Sequence, residues 1–224
     1  KEIIERFGGS ETTATSTPIS VFMAGSPGAG KTEFSKRLIE ALEDNKRHIV
    51  RIDPDEIRQW LPCYIAGKAE LFHSAVAIAV EKIHDHVLQK NKNFLLDGTF
   101  SNLKIARKNI QRSLGKKRMI LIEYVFQDPL VAWDFTKKRE AIEGRNIPKE
   151  SFIEQLFSAY ENVDSMKAEF GQEVDLDFIQ RNIQTNQYIF KFSVDKVASR
   201  LSIGYTKDEL LKLTPLNYTG LASK

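Results

Sequence analysis

Apolar side chains follow two alternating patterns along the chain. Ile19–Ala24, His48–Ile52, Asn93–Leu96 and Met119–Phe126 are short runs rich in Val, Ile, Leu and Phe, apolar at successive positions. Runs of that kind suit strands buried on both faces, as in a parallel sheet. Between them, residues 32–45, 68–90 and 102–114 carry apolar residues at helical spacing. The last of these closes on Gly115, with Lys116, Lys117 and Arg118 where cations complement the helix dipole. Strand and helix alternating in this way predict an α/β fold, a mostly parallel sheet flanked by helices on both faces. Further on, 130–143 and 149–169 read as helices, 175–182 and 187–193 as a terminal pair of strands, and 206–213 as a short helix.

Residues 8–18 are small and polar and offer little surface to bury, so they read as a linker. That divides the chain into three parts: a helical fragment with a Ser/Thr-rich linker (1–18), the folded domain (19–195) and a C-terminal extension (196–224). At 224 residues a chain buries roughly 70–75% of its unfolded surface and needs no disulfide or structural metal. The lone Cys63 cannot form an internal disulfide, which suits a reducing, cytoplasmic setting. The longest apolar runs are strand-length, so no membrane element is expected. The net charge of +3, from 33 cationic and 30 anionic side chains, is too small to point to a nucleic-acid or membrane partner.

The first chemistry-bearing motif is Gly25-Ser26-Pro27-Gly28-Ala29-Gly30-Lys31-Thr32, which fits GxxxxGK[ST] between a buried strand and an amphipathic helix. In that context glycines let backbone N–H groups converge on phosphate oxygens, and the helix N-terminus adds positive potential. Lys31 reaches the β/γ-phosphates and Thr32 ligates Mg2+. The expected fold is therefore a P-loop NTPase or kinase, with ATP and Mg2+ as cofactors. The motif fixes the phosphate donor and leaves the acceptor open.

Ligands in such a sheet gather beyond the carboxyl ends of the strands, so acids placed there become candidates. Asp53-Pro54-Asp55-Glu56 follows the second strand. Asp53 can serve as a helix cap, with Pro54 in the first turn and Glu56 at capping-box spacing, or it can face substrate. Asp55 is not needed for the cap and suits a carboxylate that accepts the proton of an attacking hydroxyl; the alternative is a surface acid favouring the helix dipole. The third strand closes on Leu96-Asp97-Gly98-Thr99, where Asp97 can hold Mg2+ directly or through water and Thr99 can contact a phosphate or substrate oxygen; the alternative is an Asp-Gly turn. Glu81 falls off the Val76, Val80, Ile83, Val87 stripe and reads as a solvated charge. Arg139 and Arg145 bracket a helix end and the loop Gly144-Arg145-Asn146-Ile147-Pro148, a composition suited to a lid that closes over transferring phosphoryl. Lys104, Arg107, Lys108 and Arg112 read as a solvated helix face, since no aromatics interleave for base stacking.

Taken in order, Gly25–Thr32, Ile-Asp-Pro-Asp at 52–55, Leu-Asp-Gly-Thr at 96–99 and Arg-Asn-Ile-Pro-Lys at 145–149 resemble the zeta-toxin family of P-loop kinases over about residues 19–170. The resemblance implies transfer of the ATP γ-phosphoryl to the 3′-hydroxyl of the amino sugar in UDP-N-acetylglucosamine. It implies Lys31 as the phosphate-binding lysine, Asp55 as general base, Glu81 and Thr99 as substrate contacts, and Arg139 and Arg145 as the pair gripping phosphates. Asp97 stands where the family carries Glu, and Ser101 where Arg is common. Those departures leave another nucleotide, NAD or an antibiotic hydroxyl open as acceptor, and a non-catalytic ATP-dependent interaction module is a further alternative. The resemblance also implies inhibition by an antitoxin, either a separate chain or a fused N-terminal segment of which Lys1–Phe7 is a remnant.

Overall fold

A computed structural model describes residues 1–9, 11–45, 47–65, 67–143, 146–182, 185, 187–201 and 203–213. Its elements follow the expected alternation: α1 (Glu2–Phe7), β1 (Ile19–Ala24), α2 (Lys31–Asp44), β2 (Val50–Ile52), α3 (Pro54–Trp60), α4 (His73–Gln89), β3 (Phe94–Leu96), α5 (Leu103–Leu114), β4 (Met119–Phe126), α6 (Pro129–Glu143), α7 (Lys149–Phe170), β5 (Asp175–Asn182), β6 (Gln187–Lys191) and α8 (Lys207–Lys212). The strands form one sheet in the order β2-β3-β1-β4-β5-β6. The first five run parallel and β6 returns antiparallel to β5 at the edge. The last two strands form the expected terminal pair, joined to the main sheet through β5. The helix expected over 68–90 breaks into a short 3-10 turn, Ala69–Phe72, followed by α4.

Both faces of the sheet are covered. Phe22, Ile52, Phe94, Ile122 and Tyr124 pack against Ile83 and Val87 of α4, Ile110 of α5 and Val163 and Met166 of α7. On the opposite face Val21, Met23, Leu95, Val125 and Ile179 meet Phe34, Leu38 and Leu42 of α2. Ile52, Ile83, Ile110 and Ile122 are fully buried, so truncating any one to Ala removes about 2–5 kcal/mol of stability through lost burial and the cavity left behind.

The polar stretch at the N-terminus is tied to the domain. Phe7 packs edge-on against Trp60 at 5.7 Å, and the Lys92 ammonium donates to the carbonyls of Gly8 (3.0 Å) and Gly9 (2.7 Å). At the other end, Ile203, Tyr205, Leu210 and Leu213 join Ala132, Trp133, Phe152 and Leu156 in a third apolar cluster under α6 and α7. The Lys149 ammonium donates to the Leu211 carbonyl at 2.9 Å, so α8 braces the start of α7. Among the described residues no helix is long and apolar enough to cross a membrane.

Candidate active site

The crevice lies beyond the carboxyl ends of β1, β2 and β3, where the connections turn to opposite sides of the sheet. One wall is the phosphate loop. Gly25 has φ +132° and a side chain there would come within 2.2 Å of the Val125 carbonyl oxygen; Gly28 has φ +71° and would meet the Ala132 carbonyl oxygen at 2.0 Å. Only glycine lets the loop pass this close to β4 and α6. The Lys31 ammonium folds back on the loop, donating to the carbonyls of Gly25 (3.0 Å) and Ser26 (2.6 Å). α2 opens at Lys31 immediately after the loop, and a helix N-terminus favours anions such as phosphate. Pro27, Gly28, Gly30, Lys31 and Thr32 line a cavity of about 360 Å3. Ala29 instead buries its methyl group in the apolar cluster under α2.

The facing wall is made of charged side chains. In the parallel register Ile52 stands opposite Leu96, so the next residues, Asp53 and Asp97, emerge side by side. Both are buried. Nη2 of Arg51 donates to Oδ2 of Asp53 and to Oδ2 of Asp97, each at 2.6 Å. Oδ2 of Asp97 also accepts from the Ser35 hydroxyl at 3.0 Å, and that hydroxyl contacts the Thr32 carbonyl at 3.0 Å. Burial raises the pKa of Asp53, with Arg51 acting in the opposite direction. For Arg51 itself burial disfavours the charge, but Asp53 and Asp97 outweigh it and the pKa is raised.

Asp53 is indeed a helix cap: its Oδ1 accepts the Asp55 N–H at 2.7 Å, with Pro54 in the first turn of α3. The capping box suggested by Glu56 does not form, because Glu56 pairs with Arg51 instead. Asp55 reaches the cavity between two guanidinium groups. Arg58 of its own helix pairs with Oδ1, and Nη2 of Arg139 lies 3.7 Å from Oδ2. Thr99 lines the same cavity; its hydroxyl shares a 2.8 Å hydrogen bond with Ser101, and its carbonyl accepts the Gly25 N–H at 3.2 Å. Lys31, Thr32, Asp53, Asp55, Asp97, Thr99 and Arg139 thus meet in one cavity. Arg145 lies outside the described residues.

Glu81, expected as a substrate contact, is not among the residues that line the cavity. The stripe of α4 that packs on the sheet turns Glu81 toward α5, where Lys108 and Arg112 each donate to it at 3.0 Å. Partial burial acts the other way, but these two cations hold its carboxyl below the ordinary glutamate range. The basic run on α5 is correspondingly occupied, with Arg107 on Glu169, Lys108 on Glu81 and Arg112 on Glu81 and Asp85. Arg51, Arg58, Gln155 and Arg181 were missed from the sequence. Arg58 was legible as the residue three beyond Asp55, at ion-pairing distance on one helix face. Arg181 sits near the carboxyl end of β5, beside Gly30 and Glu33, a position that only the sheet order reveals.

A phosphate loop opening α2 under a parallel sheet, with acids and arginines gathered across from it, defines a nucleotide-dependent kinase of the P-loop class. The sequence matches the zeta toxin family model over residues 5–190, and the chain belongs to the zeta-toxin family. It is a phosphotransferase of that family. A solved structure of the PezAT chromosomal toxin-antitoxin system of the human pathogen Streptococcus pneumoniae is similar, with a TM-score of 0.63 at 18% identity, covering 93% of this chain and 82% of that one. The AvrRxo1-ORF1:AvrRxo1-ORF2 complex with sulphate ions gives 0.64 at 12% identity, with 82% of this chain and 62% of that one covered. The same complex with ATP gives 0.64 at 12%, covering 88% and 65%. No curated protein sequence matches.

Proposed function

We propose that the chain transfers the γ-phosphoryl group of ATP to a hydroxyl of UDP-N-acetylglucosamine or a closely related nucleotide sugar. The observation that carries this reading is the shared cavity in which Asp55 faces the phosphate loop, with Arg139 beside it. The loop amides and Lys31 hold the β- and γ-phosphates; on nucleotide binding the Lys31 ammonium exchanges its carbonyl partners for phosphate oxygens. Asp55 accepts the proton of the acceptor hydroxyl as its oxygen bonds to phosphorus and the bond to the leaving ADP oxygen breaks. Arg58 and Arg139, one at each carboxylate oxygen of Asp55, fix its direction. Phosphoryl transfer depends chiefly on positioning and on electrostatic stabilisation of the equatorial oxygens. Arg139, with Arg145 from the lid segment, supplies that stabilisation.

Thr32 in the first turn of α2 and Asp97 beyond β3 fit Mg2+. That ion characteristically takes one or two protein oxygens and completes its shell with phosphates and water. Both hydrogen bonds to the Asp97 carboxylate fall on Oδ2, and Oδ1 accepts none among the described residues. When bound, the ion neutralises charge developing on the phosphates.

The sugar assignment rests on the family resemblance. Because Glu81 is turned away from the cavity, a second reading keeps the chemistry and replaces the acceptor with NAD, another nucleotide or an antibiotic hydroxyl. An antitoxin that covers the nucleotide site is the partner this function calls for. Two of the similar structures support it, one described as a toxin-antitoxin system and the other a complex of two gene products. Mass spectrometry of small-molecule extracts from cells expressing wild type or Asp55→Asn tests the assignment. A species heavier by one phosphate, present only with wild type, names the acceptor. Phosphorylated NAD without phosphorylated UDP-sugar would replace the first reading by the second.

A further inference from the structure

The β2–β3 register sets two buried carboxylates, Asp53 and Asp97, next to each other at the floor of the cavity. Two carboxylates placed so close repel each other unless a cation lies between them. Arg51 supplies that cation from within the strand. Val50 and Ile52 point into the main core, so by strand alternation Arg51 points to the opposite face, toward α2. There its Nη2 takes both acids at 2.6 Å and its Nε lies 3.3 Å from the Ser35 hydroxyl. Ser35 in turn binds Asp97 and the carbonyl of Thr32. One planar guanidinium therefore joins the helix that carries the phosphate loop to the acid that caps the helix of Asp55.

We propose that Arg51 is a positioning residue for phosphoryl transfer. It locks Asp53 and Asp97 in place from the floor of the cavity and restricts Asp97 to presenting Oδ1 to the divalent cation. It touches neither nucleotide nor acceptor, and its effect passes through Asp97 to the metal and through Asp53 to α3 and Asp55. The proposal rests on the kinase reading and is independent of the acceptor. It separates two quantities that a merely structural arginine would lower together. Removing the guanidinium leaves more net negative charge at the floor, so a divalent cation binds more tightly, while the freed carboxylates no longer hold the geometry needed for transfer.

The test compares wild type, Arg51→Met, Arg51→Lys, Asp97→Asn and the double variant Arg51→Met/Asp97→Asn. Mn2+ affinity is read by electron paramagnetic resonance with ATP present, turnover by phosphate transfer from labelled ATP, and integrity by thermal melting. Arg51→Met is expected to bind Mn2+ about threefold or more tightly while kcat falls about 10- to 100-fold and the KM for ATP changes less than threefold. Arg51→Lys, which keeps the charge but loses the fork, falls between wild type and Met in kcat and keeps wild-type Mn2+ affinity. Relative to Asp97→Asn alone, the double variant tightens Mn2+ less than Arg51→Met does relative to wild type, because part of the effect passes through Asp97. Unchanged or weaker Mn2+ binding in a folded Arg51→Met protein overturns the proposal, as does unchanged kcat. If wild type transfers phosphate to no acceptor, the kinase reading fails, and the Mn2+ comparison still decides the role of Arg51.

Discussion

The two walls of the crevice are built by different means. The phosphate-loop wall is mainly backbone: its shape follows from glycines at positive φ pressed against the carbonyls of Val125 and Ala132, and its charge comes from amides, a helix end and the Lys31 ammonium. The opposite wall is side-chain charge. Three acids, Asp53, Asp55 and Asp97, are held by three arginines, Arg51, Arg58 and Arg139. A backbone wall carries the same field whatever occupies the neighbouring positions. A charge wall works only while every partner is present, since removing one leaves another buried and uncompensated. The donor side is thus fixed by local sequence, and the acceptor side by a network that spans strands distant in the chain.

The largest expected effects come from one substitution in each wall. Asp55→Asn removes the proton acceptor and is expected to lower kcat by about 10^2 to 10^4, with ATP affinity kept within about threefold, because no atom of Asp55 belongs to the phosphate loop. Lys31→Ala is expected to weaken ATP binding and to lower turnover by at least about 10^2, since it deletes a donor aimed at the phosphates. Fluorescence titration with a labelled ATP analogue, run beside the transfer assay, separates the two. Equal loss of ATP binding in both variants would show that the walls are not functionally distinct.

An intermediate effect is expected at the seam where the loop touches α6. Gly28→Ala must relieve a 2.0 Å approach to the Ala132 carbonyl and a φ of +71°. The strain is worth about 2 kcal/mol, which for a chain of this size corresponds to a fall of about 4–8 °C in melting temperature. Saturating ATP is expected to recover little of it, because the displaced loop no longer fits the phosphates. A melting temperature within 1 °C or so of wild type would mean that the loop is less constrained by the backbone than this comparison holds.

The contrast between the walls also explains what was legible. The phosphate loop, the strand ends that carry Asp55 and Asp97, and the layered α/β architecture all follow from short-range patterns: glycine spacing, apolar runs and helical stripes. Arg51 did not. Nothing in Val50-Arg51-Ile52 marks it, and its role arises only when β2 and β3 pair so that Asp53 and Asp97 become neighbours. Arg181 is likewise brought to the cavity by β5 lying beside β4. The polar stretch 8–18 reads as a linker by composition, yet its Gly8 and Gly9 carbonyls are fastened by Lys92, more than eighty positions away in the chain. Charge pairing between distant segments leaves no periodic trace, whereas burial does.

Glu81 supplies the smallest expected effect and the sharpest check on the charge wall's boundary. The family resemblance implied a substrate contact for Glu81, but a position along the chain does not fix direction around a helix. The stripe of Val76, Ile83 and Val87 seats α4 on the sheet and leaves Glu81 to the cations of α5. Pairs with side chains this exposed, 42% for Glu81 and 58% for Lys108, contribute about 0–1 kcal/mol. Glu81→Gln is therefore expected to leave kcat and the acceptor KM within about twofold of wild type and to lower the melting temperature by no more than about 3 °C. Steady-state kinetics on the acceptor identified by mass spectrometry provide the measurement. A rise of tenfold or more in acceptor KM would mean that α4 turns or shifts when substrate binds, and that the acid wall extends one helix further than its contacts with α5 place it.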